Sequence, residues 1–256
     1  MRITLYVFAA LCGLAGASAW AAPMKESRAR QPTRILQLFS YEVKDQARFE
    51  EGYRRHLGWH AGHGDTLVWY GWTVDSGARK GAFVDGTAGA TYAGLDARPD
   101  PAGDGADAVR NFTPFVQSLN VETWELVGAV STALPLEDRR PGPNQDVFVL
   151  HVRPGDTGAF EQTLARLAAR QTAQPSALTW YRAVRGGAVP AYMLVLTRNG
   201  WSDLDRARGS LREMLQEAYA APDVVDALLG LTSDVQVESW GYQPRLSLIP
   251  GEQPAP

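Results

Sequence analysis

The chain is almost without cysteine: Cys12 is the only one in 256 residues. It sits inside an apolar N-terminal run, so everything beyond that run must hold together without disulfides. Basic runs are missing as well. The net charge is −3, which removes the electrostatic footprint of a nucleic-acid binder. Past residue 22 there is no apolar stretch of the roughly 18–20 residues a bilayer span needs. The expectation is a soluble protein with neither a membrane span nor a nucleic-acid partner. No G-x-S-x-G, P-loop, zincin or dinucleotide fingerprint appears, and "GTAG" at 86–89 is too short and poorly placed for a phosphate loop. Histidine is scarce: of four, three fall close together as His56, His60 and His63.

What is present begins with a processing signal. Arg2 supplies a positive start, residues 3–15 are mostly apolar, and "ASAWAA" at 17–22 offers small-residue cleavage sites. Residues 1–21 read as a cleaved signal peptide, and the mature protein is expected in the periplasm or secreted. Cys12 would leave with the signal. A lipoprotein reading fails because Leu11 precedes Cys12 where a small residue is wanted. With 45% hydrophobic residues, the remaining chain can bury a core unaided.

The chain then repeats itself. Residues 49–70 lie over 160–181 at an offset of 111: Phe49 meets Phe160, Arg55 meets Arg166, and Trp69-Tyr70 meets Trp180-Tyr181. "ILQLFSYEV" (35–43) falls against "DVFVLHVRP" (146–154), residues 82–96 against 191–205, and Val121-Glu122-Thr123-Trp124 against Val237-Glu238-Ser239-Trp240. Each half reads strand, helix, strand, strand, helix, strand. The second helix is expected near 104–118 in one half, and at 203–219 with 222–229 in the other. The halves span 33–130 and 146–245. A polar, proline-rich linker covers 131–145, and a flexible tail runs from 246 to 256.

The fold class is therefore α+β, as two tandem ferredoxin-like βαββαβ units. Their first strands are apolar on both faces, which demands burial on both sides. The bare sheet face of one half is expected to meet that of the other. Element order and the Trp-Tyr and Glu-x-Trp repeats resemble the dimeric α+β barrel superfamily, here fused into one chain across residues 33–245. The resemblance implies relatives such as antibiotic-biosynthesis-type monooxygenases, haem-degrading and chlorite dismutase-like proteins, and stress-responsive barrels. It also implies a monomer with an internal pseudo-dimer. Fold alone selects no activity.

Candidate site residues come from asymmetry between the halves. His56 stands where the other half has Leu167, and Asp85-Gly86-Thr87 where it has Leu194-Val195-Leu196. Polar groups in core places need partners, so a pocket bounded by His56, His60, His63 and Asp85 is expected under the first helix. The histidines continue the stripe begun by Phe49 and Tyr53, although Gly58, Gly62 and Gly64 weaken the helix there. A hydrogen-bonded structural cluster or an organic-ligand pocket is preferred to a metal or haem on these histidines; either cofactor remains the alternative. His60 and His63 also face Gln171 and Gln174 in the other half, as solvated helix-end positions would. Glu122 and Glu238 are ligand candidates if their face lines the barrel, where they would converge as acid and base; an outward, solvated place is preferred. Trp69 and Trp180 are candidate aromatic walls. Arg182 and Arg185 flank a hairpin and suit an anion, and His151 reads as a buried, hydrogen-bonded residue.

The first functional expectation is a small apolar or aromatic ligand, held within the barrel by Trp and Tyr rings. The alternative is a haem- or metal-dependent oxidoreductase or monooxygenase using the N-terminal histidines. Whether the protein is an enzyme at all, the residues leave open.

Overall fold

The computed structural model describes residues 33–138, 140–172, 177–206 and 210–252. The expected signal peptide, Gln174 and part of the expected helix over 203–219 lie outside these residues.

The N-terminal half runs β1 (Ile35–Val43), α1 (Gln46–Gly62), β2 (Tyr70–Ser76), β3 (Phe83–Ala90), α2 (Tyr92–Asp96), α3 (Pro101–Asn111) and β4 (Val116–Leu126). The C-terminal half runs β5 (Asn144–Val152), α4 (Thr157–Ala168), β6 (Leu178–Arg185), β7 (Ala191–Arg198), α5 (Ser202–Arg206), α6 (Leu211–Tyr219), α7 (Pro222–Gly230) and β8 (Thr232–Tyr242). The βαββαβ order occurs twice, with each second helix broken into pieces.

The eight strands close in the order β1-β3-β2-β8-β5-β7-β6-β4, with β4 returning to β1. Every pairing is antiparallel. The halves join edge to edge through β2–β8 and β4–β6. Their inner faces confront one another across one closed barrel, as the doubly apolar strands require. From β1, Leu36 and Leu38 point inward to Trp72, Trp124, Val147, Tyr181 and Trp240, while Tyr41 on the opposite face meets Phe49, Tyr53 and Phe112 beneath α1. Trp72 and Trp240 pack with ring centres 5.7 Å apart. The rings expected to hold a ligand inside the barrel hold one another instead, as in small barrels whose interiors are filled.

Several expectations are corrected. Helix α1 continues through Gly58 to Gly62, because burial of Leu57 and His60 outweighs the intrinsic cost of glycine. The N-terminal second helix ends at Asn111 rather than 118. Pro114 lies in a short 3₁₀ turn, and β4 has begun by Val116. The flexible tail is not free at its start: Leu246, Ser247 and Leu248 are buried, and Leu248 bridges to Trp69. The interval 131–145 holds a 3₁₀ turn whose Leu136 packs into the barrel interior.

The repeat itself shifts by two residues in the strands. Phe39 pairs with Asp85 and Phe148 with Leu194, an offset of 109. Asp85 pairs with Gly71, and Leu194 with Trp180. Trp180 therefore answers Gly71, and Tyr181 answers Trp72. Where the C-terminal half inserts an indole, the N-terminal half has no side chain. A Cβ on Gly71 would meet the Leu246 carbonyl oxygen at 2.3 Å, and the Gly71 amide donates to Ser247 Oγ at 2.9 Å. The C-terminal segment fills the place of that ring.

Candidate functional site

Helix α1 starts at Asp45, whose side chain accepts from the Arg48 amide at 3.2 Å and satisfies one of the unpaired donors of a helix start. Its buried face is Phe49, Gly52, Tyr53, His56, Leu57 and His60, the three-and-four spacing of one helical stripe. Gly52 is needed for close approach: a Cβ there would stand 2.1 Å from the Asn111 carbonyl oxygen. That contact seats α1 on the end of α3. Asp104 and Asp107, one helical turn apart, consequently face the histidines.

The α1 end supplies another acid. Gly64 takes a left-handed φ of +72°, open to glycine without a Cβ penalty. The chain folds back so that the Asp65 amide donates to the His60 carbonyl oxygen at 3.2 Å. Asp65 then reaches His60 Nδ1 at 2.8 Å, and its carboxylate also accepts from Trp69 Nε1 at 3.0 Å and the Leu67 amide at 2.9 Å. Burial opposes charge on Asp65, but the bonds from His60, Leu67 and Trp69 prevail and hold its pKa below the usual carboxylate value. His56 is anchored likewise, with Nδ1 2.9 Å from Asp107 Oδ2. Asn111 Nδ2 donates to the other Asp107 oxygen at 2.9 Å. Burial leads in pushing the His56 pKa down, with neighbouring His60 adding to it against the raising pull of Asp107 and Asp104.

A carboxylate only accepts, so both Nδ1 atoms donate, and in the neutral rings both Nε2 atoms are bare. These bare nitrogens lie 3.2 Å apart. Asp104 Oδ1 stands 3.3 Å from His56 Nε2 and 3.5 Å from His60 Nε2. Three acceptors converge on one spot.

Beside them lies a cavity of about 300 Å³, at the small end of the range for small-molecule sites. Phe39, Tyr41, Tyr53, Trp69 and Phe112 give it aromatic walls, and Asp85 lines it. Both tyrosine hydroxyls donate to Asp85 Oδ2, Tyr53 at 2.6 Å and Tyr41 at 3.1 Å. Asp85 Oδ1 is buried and has no hydrogen-bond partner among the described residues. Burial pushes the Asp85 pKa up to about 7 despite the two tyrosine bonds and the influence of His60.

Of the residues singled out in the sequence, His56, His60, Asp85 and Trp69 meet at this cavity. His63 does not. It follows the end of α1, is exposed, stacks on Trp59 with ring centres 4.0 Å apart, and its Nδ1 lies 2.7 Å from the Trp59 carbonyl oxygen. Trp180 is fully buried in the C-terminal core and donates to the Tyr219 hydroxyl at 2.8 Å. Glu122 and Glu238 are not solvated outward residues: with Trp124 they line a hollow of about 190 Å³. Glu238 is paired to Arg79 at 2.7 Å and Glu122 accepts from Trp124 Nε1 at 3.2 Å. Strand alternation sends them inward together with their tryptophans. His151 borders this hollow and is half-buried. Arg182 is engaged by Glu125 and Glu161 at 2.5 and 3.1 Å, and Arg185 is exposed.

Haem does not fit here. An axial histidine must present Nε2 to open space, whereas each Nε2 faces the other and Asp104. The sequence reading missed Asp65, Asp104 and Asp107. Their one legible signal was the spacing Asp104-x-x-Asp107 on a helix-forming stretch, which puts two acids on one face.

No family model matches the sequence, and no curated protein matches it. Solved structures share its fold. A presumed monooxygenase from Fusobacterium nucleatum superposes with a TM-score of 0.57 at 10% identity, covering 83% of this chain and 94% of its own. One from Lactobacillus acidophilus does so at 0.55 and 9%, covering 82% and 94%. An anthrone oxidase-like protein gives 0.51 and 13%, covering 87% and 95%. The chain thus has the dimeric α+β barrel fold, with both halves supplied by one polypeptide.

Proposed function

We propose that the protein is an oxidoreductase that takes a small aromatic molecule with an acidic hydroxyl into the cavity beneath α1, where Asp85 exchanges the hydroxyl proton. The observation that carries this reading is Asp85 itself, a residue lining an aromatic-walled cavity, with one carboxyl oxygen fixed by two tyrosines and the other buried without a partner among the described residues. Because Oδ2 accepts twice, the carboxyl proton belongs on Oδ1 when it is bound. A pKa of about 7 lets the group give and take a proton near neutral pH, which favours acid–base work. The flat rings match the shape of an aromatic guest. The oxidoreductase part draws its support from the fold shared with presumed monooxygenases and an anthrone oxidase-like protein.

Titration of a naphthol and of the matching methoxynaphthalene, followed by calorimetry, tests the binding. The naphthol is expected to bind at least about tenfold more tightly, since a lost hydrogen bond to a charged group is worth roughly 1.5–3 kcal/mol. The Asp85→Asn variant should lose that preference. Equal binding of both compounds by the wild type would refute the role given to Asp85. Oxygen uptake with anthrone as substrate tests the oxidation. For the location, the signal reading of residues 1–21 supports export, and N-terminal sequencing of the exported form should find a start near Ala22; an intact Met1 would rule that out.

A further inference from the structure

We infer that His56 Nε2, His60 Nε2 and Asp104 Oδ1 form a binding site for one divalent first-row transition-metal ion of the zinc type. Three independent features of the geometry carry this.

The first is the tautomers. Asp107 and Asp65 fix Nδ1–H on both rings, so in the neutral rings two bare Nε2 atoms stand 3.2 Å apart. A third lone pair arrives from Asp104. No donor among the described residues separates them. Three converging acceptors repel one another unless a proton or a metal cation lies between them.

The second is the spacing. Donor atoms about 2.0–2.1 Å from a tetrahedral ion stand about 3.3 Å apart, while an octahedral ion would bring neighbouring donors to about 3.0 Å. The separations here are 3.2, 3.3 and 3.5 Å, which fit the tetrahedral case. Two imidazoles and a carboxylate are ligands such ions accept.

The third is the support behind each ligand. Both histidines donate their one ring N–H, at Nδ1, to a carboxylate, the arrangement that orients metal-bound imidazole and raises its basicity. Asp104 has its other oxygen 3.6 Å from Arg98 Nη1, which turns Oδ1 toward the histidines. All three ligand residues line the cavity beneath α1, so the fourth coordination position is open on that side, as in catalytic rather than structural zinc sites. None of this depends on the ligand assigned above.

The test uses the full chain, stripped with a chelator and titrated with zinc in competition with a chromophoric chelator, then with cobalt(II) as a spectroscopic stand-in. One equivalent of zinc is expected to bind and to raise the melting temperature, and cobalt(II) should give the intense visible bands of a tetrahedral ion. His56→Leu and Asp104→Leu are each expected to weaken zinc binding by more than about 100-fold, and Asp65→Asn or Asp107→Asn by about 10–100-fold. Leucine is used because Leu167 fills the place of His56 in the other half, so a folded variant is expected; circular dichroism confirms it. Failure of the wild type to bind one equivalent overturns the inference, as does undiminished binding by the folded His56→Leu variant. An octahedral cobalt spectrum overturns the tetrahedral assignment. Zinc is titrated without any aromatic guest, so failure of the ligand reading leaves these outcomes unaffected.

Discussion

Beneath α4 the C-terminal half packs Leu150, Leu164, Leu167 and Leu194, all buried in one apolar cluster. Beneath α1 the N-terminal half puts Tyr41, Tyr53, His56 and Asp85 in the same four places. The backbone arrangement is alike and the chemistry is opposite. A buried leucine contributes about 1.5–3 kcal/mol, while a buried polar group returns little until it is fully hydrogen-bonded. Tyr41, Tyr53 and His56 find carboxylate partners; Asp85 keeps one oxygen bare. At these places the C-terminal half is apolar throughout, while the N-terminal half holds titratable and hydroxyl groups at a cost in stability.

The comparison breaks most severely if the acid is moved across. Leu194→Asp places a carboxyl in an apolar core that lacks the two tyrosines, and it is expected to destabilise by about 4 kcal/mol or more. Urea unfolding measures this; a loss below about 2 kcal/mol would mean that the two sites are not different environments.

The next effect is in pH. The Asp85 pKa rises from 3.8 to about 7 on folding, so between these values the native state binds more protons than the unfolded state. Stability is then full below pH 4 and falls as pH climbs through 7, by an upper bound on the order of 4 kcal/mol for about three units. Asp85→Asn should remove that decline. Unfolding free energies of both proteins at pH 5 and pH 8 decide it, and identical slopes would deny Asp85 its raised pKa.

Gly52→Ala sharpens the contrast at the level of backbone. Its Cβ would press on the Asn111 carbonyl, and overpacking of this kind costs about 1–3 kcal/mol. Because it also moves α1 away from Asp104 and Asp107, zinc affinity should fall with stability, a pairing that a purely structural helix contact would not give.

The smallest change in stability is expected for His56→Leu. Restoring the residue type of the other half should leave stability within about 1 kcal/mol of wild type, or raise it, while metal binding is lost. A thermal melt beside a binding titration reads both. Marked destabilisation with binding intact would make His56 a structural residue.

The repeat, the βαββαβ order and the burial of both strand faces were legible in the sequence because periodicity and residue type express them directly. So was the asymmetry at His56 and Asp85, which needs only an alignment of one half on the other. The two-residue slip at β2 was hidden. The matching Trp-Tyr pairs invited the wrong register, and the true one depends on Leu246 and Ser247 arriving from the far end of the chain. Asp104, Asp107 and Asp65 were hidden for a related reason. Their role comes from α3 lying on α1 at Gly52 and from the left-handed turn at Gly64, and neither contact leaves a periodic trace. His63 was misplaced because the helical stripe was extended one step beyond the residue where the helix stops.

The strap formed by residues 244–248 also bears on how the molecule folds. The Gly71 amide awaits a hydroxyl 176 residues later in the chain, and Trp69 exchanges two backbone hydrogen bonds with Leu248. Strand β2 likewise has β8 as a neighbour. The N-terminal half therefore cannot complete its contacts until β8 and the strap have reached it. Such long-range closures slow folding because loop entropy is lost before the contact forms. The half that carries the candidate site is made first and sealed last.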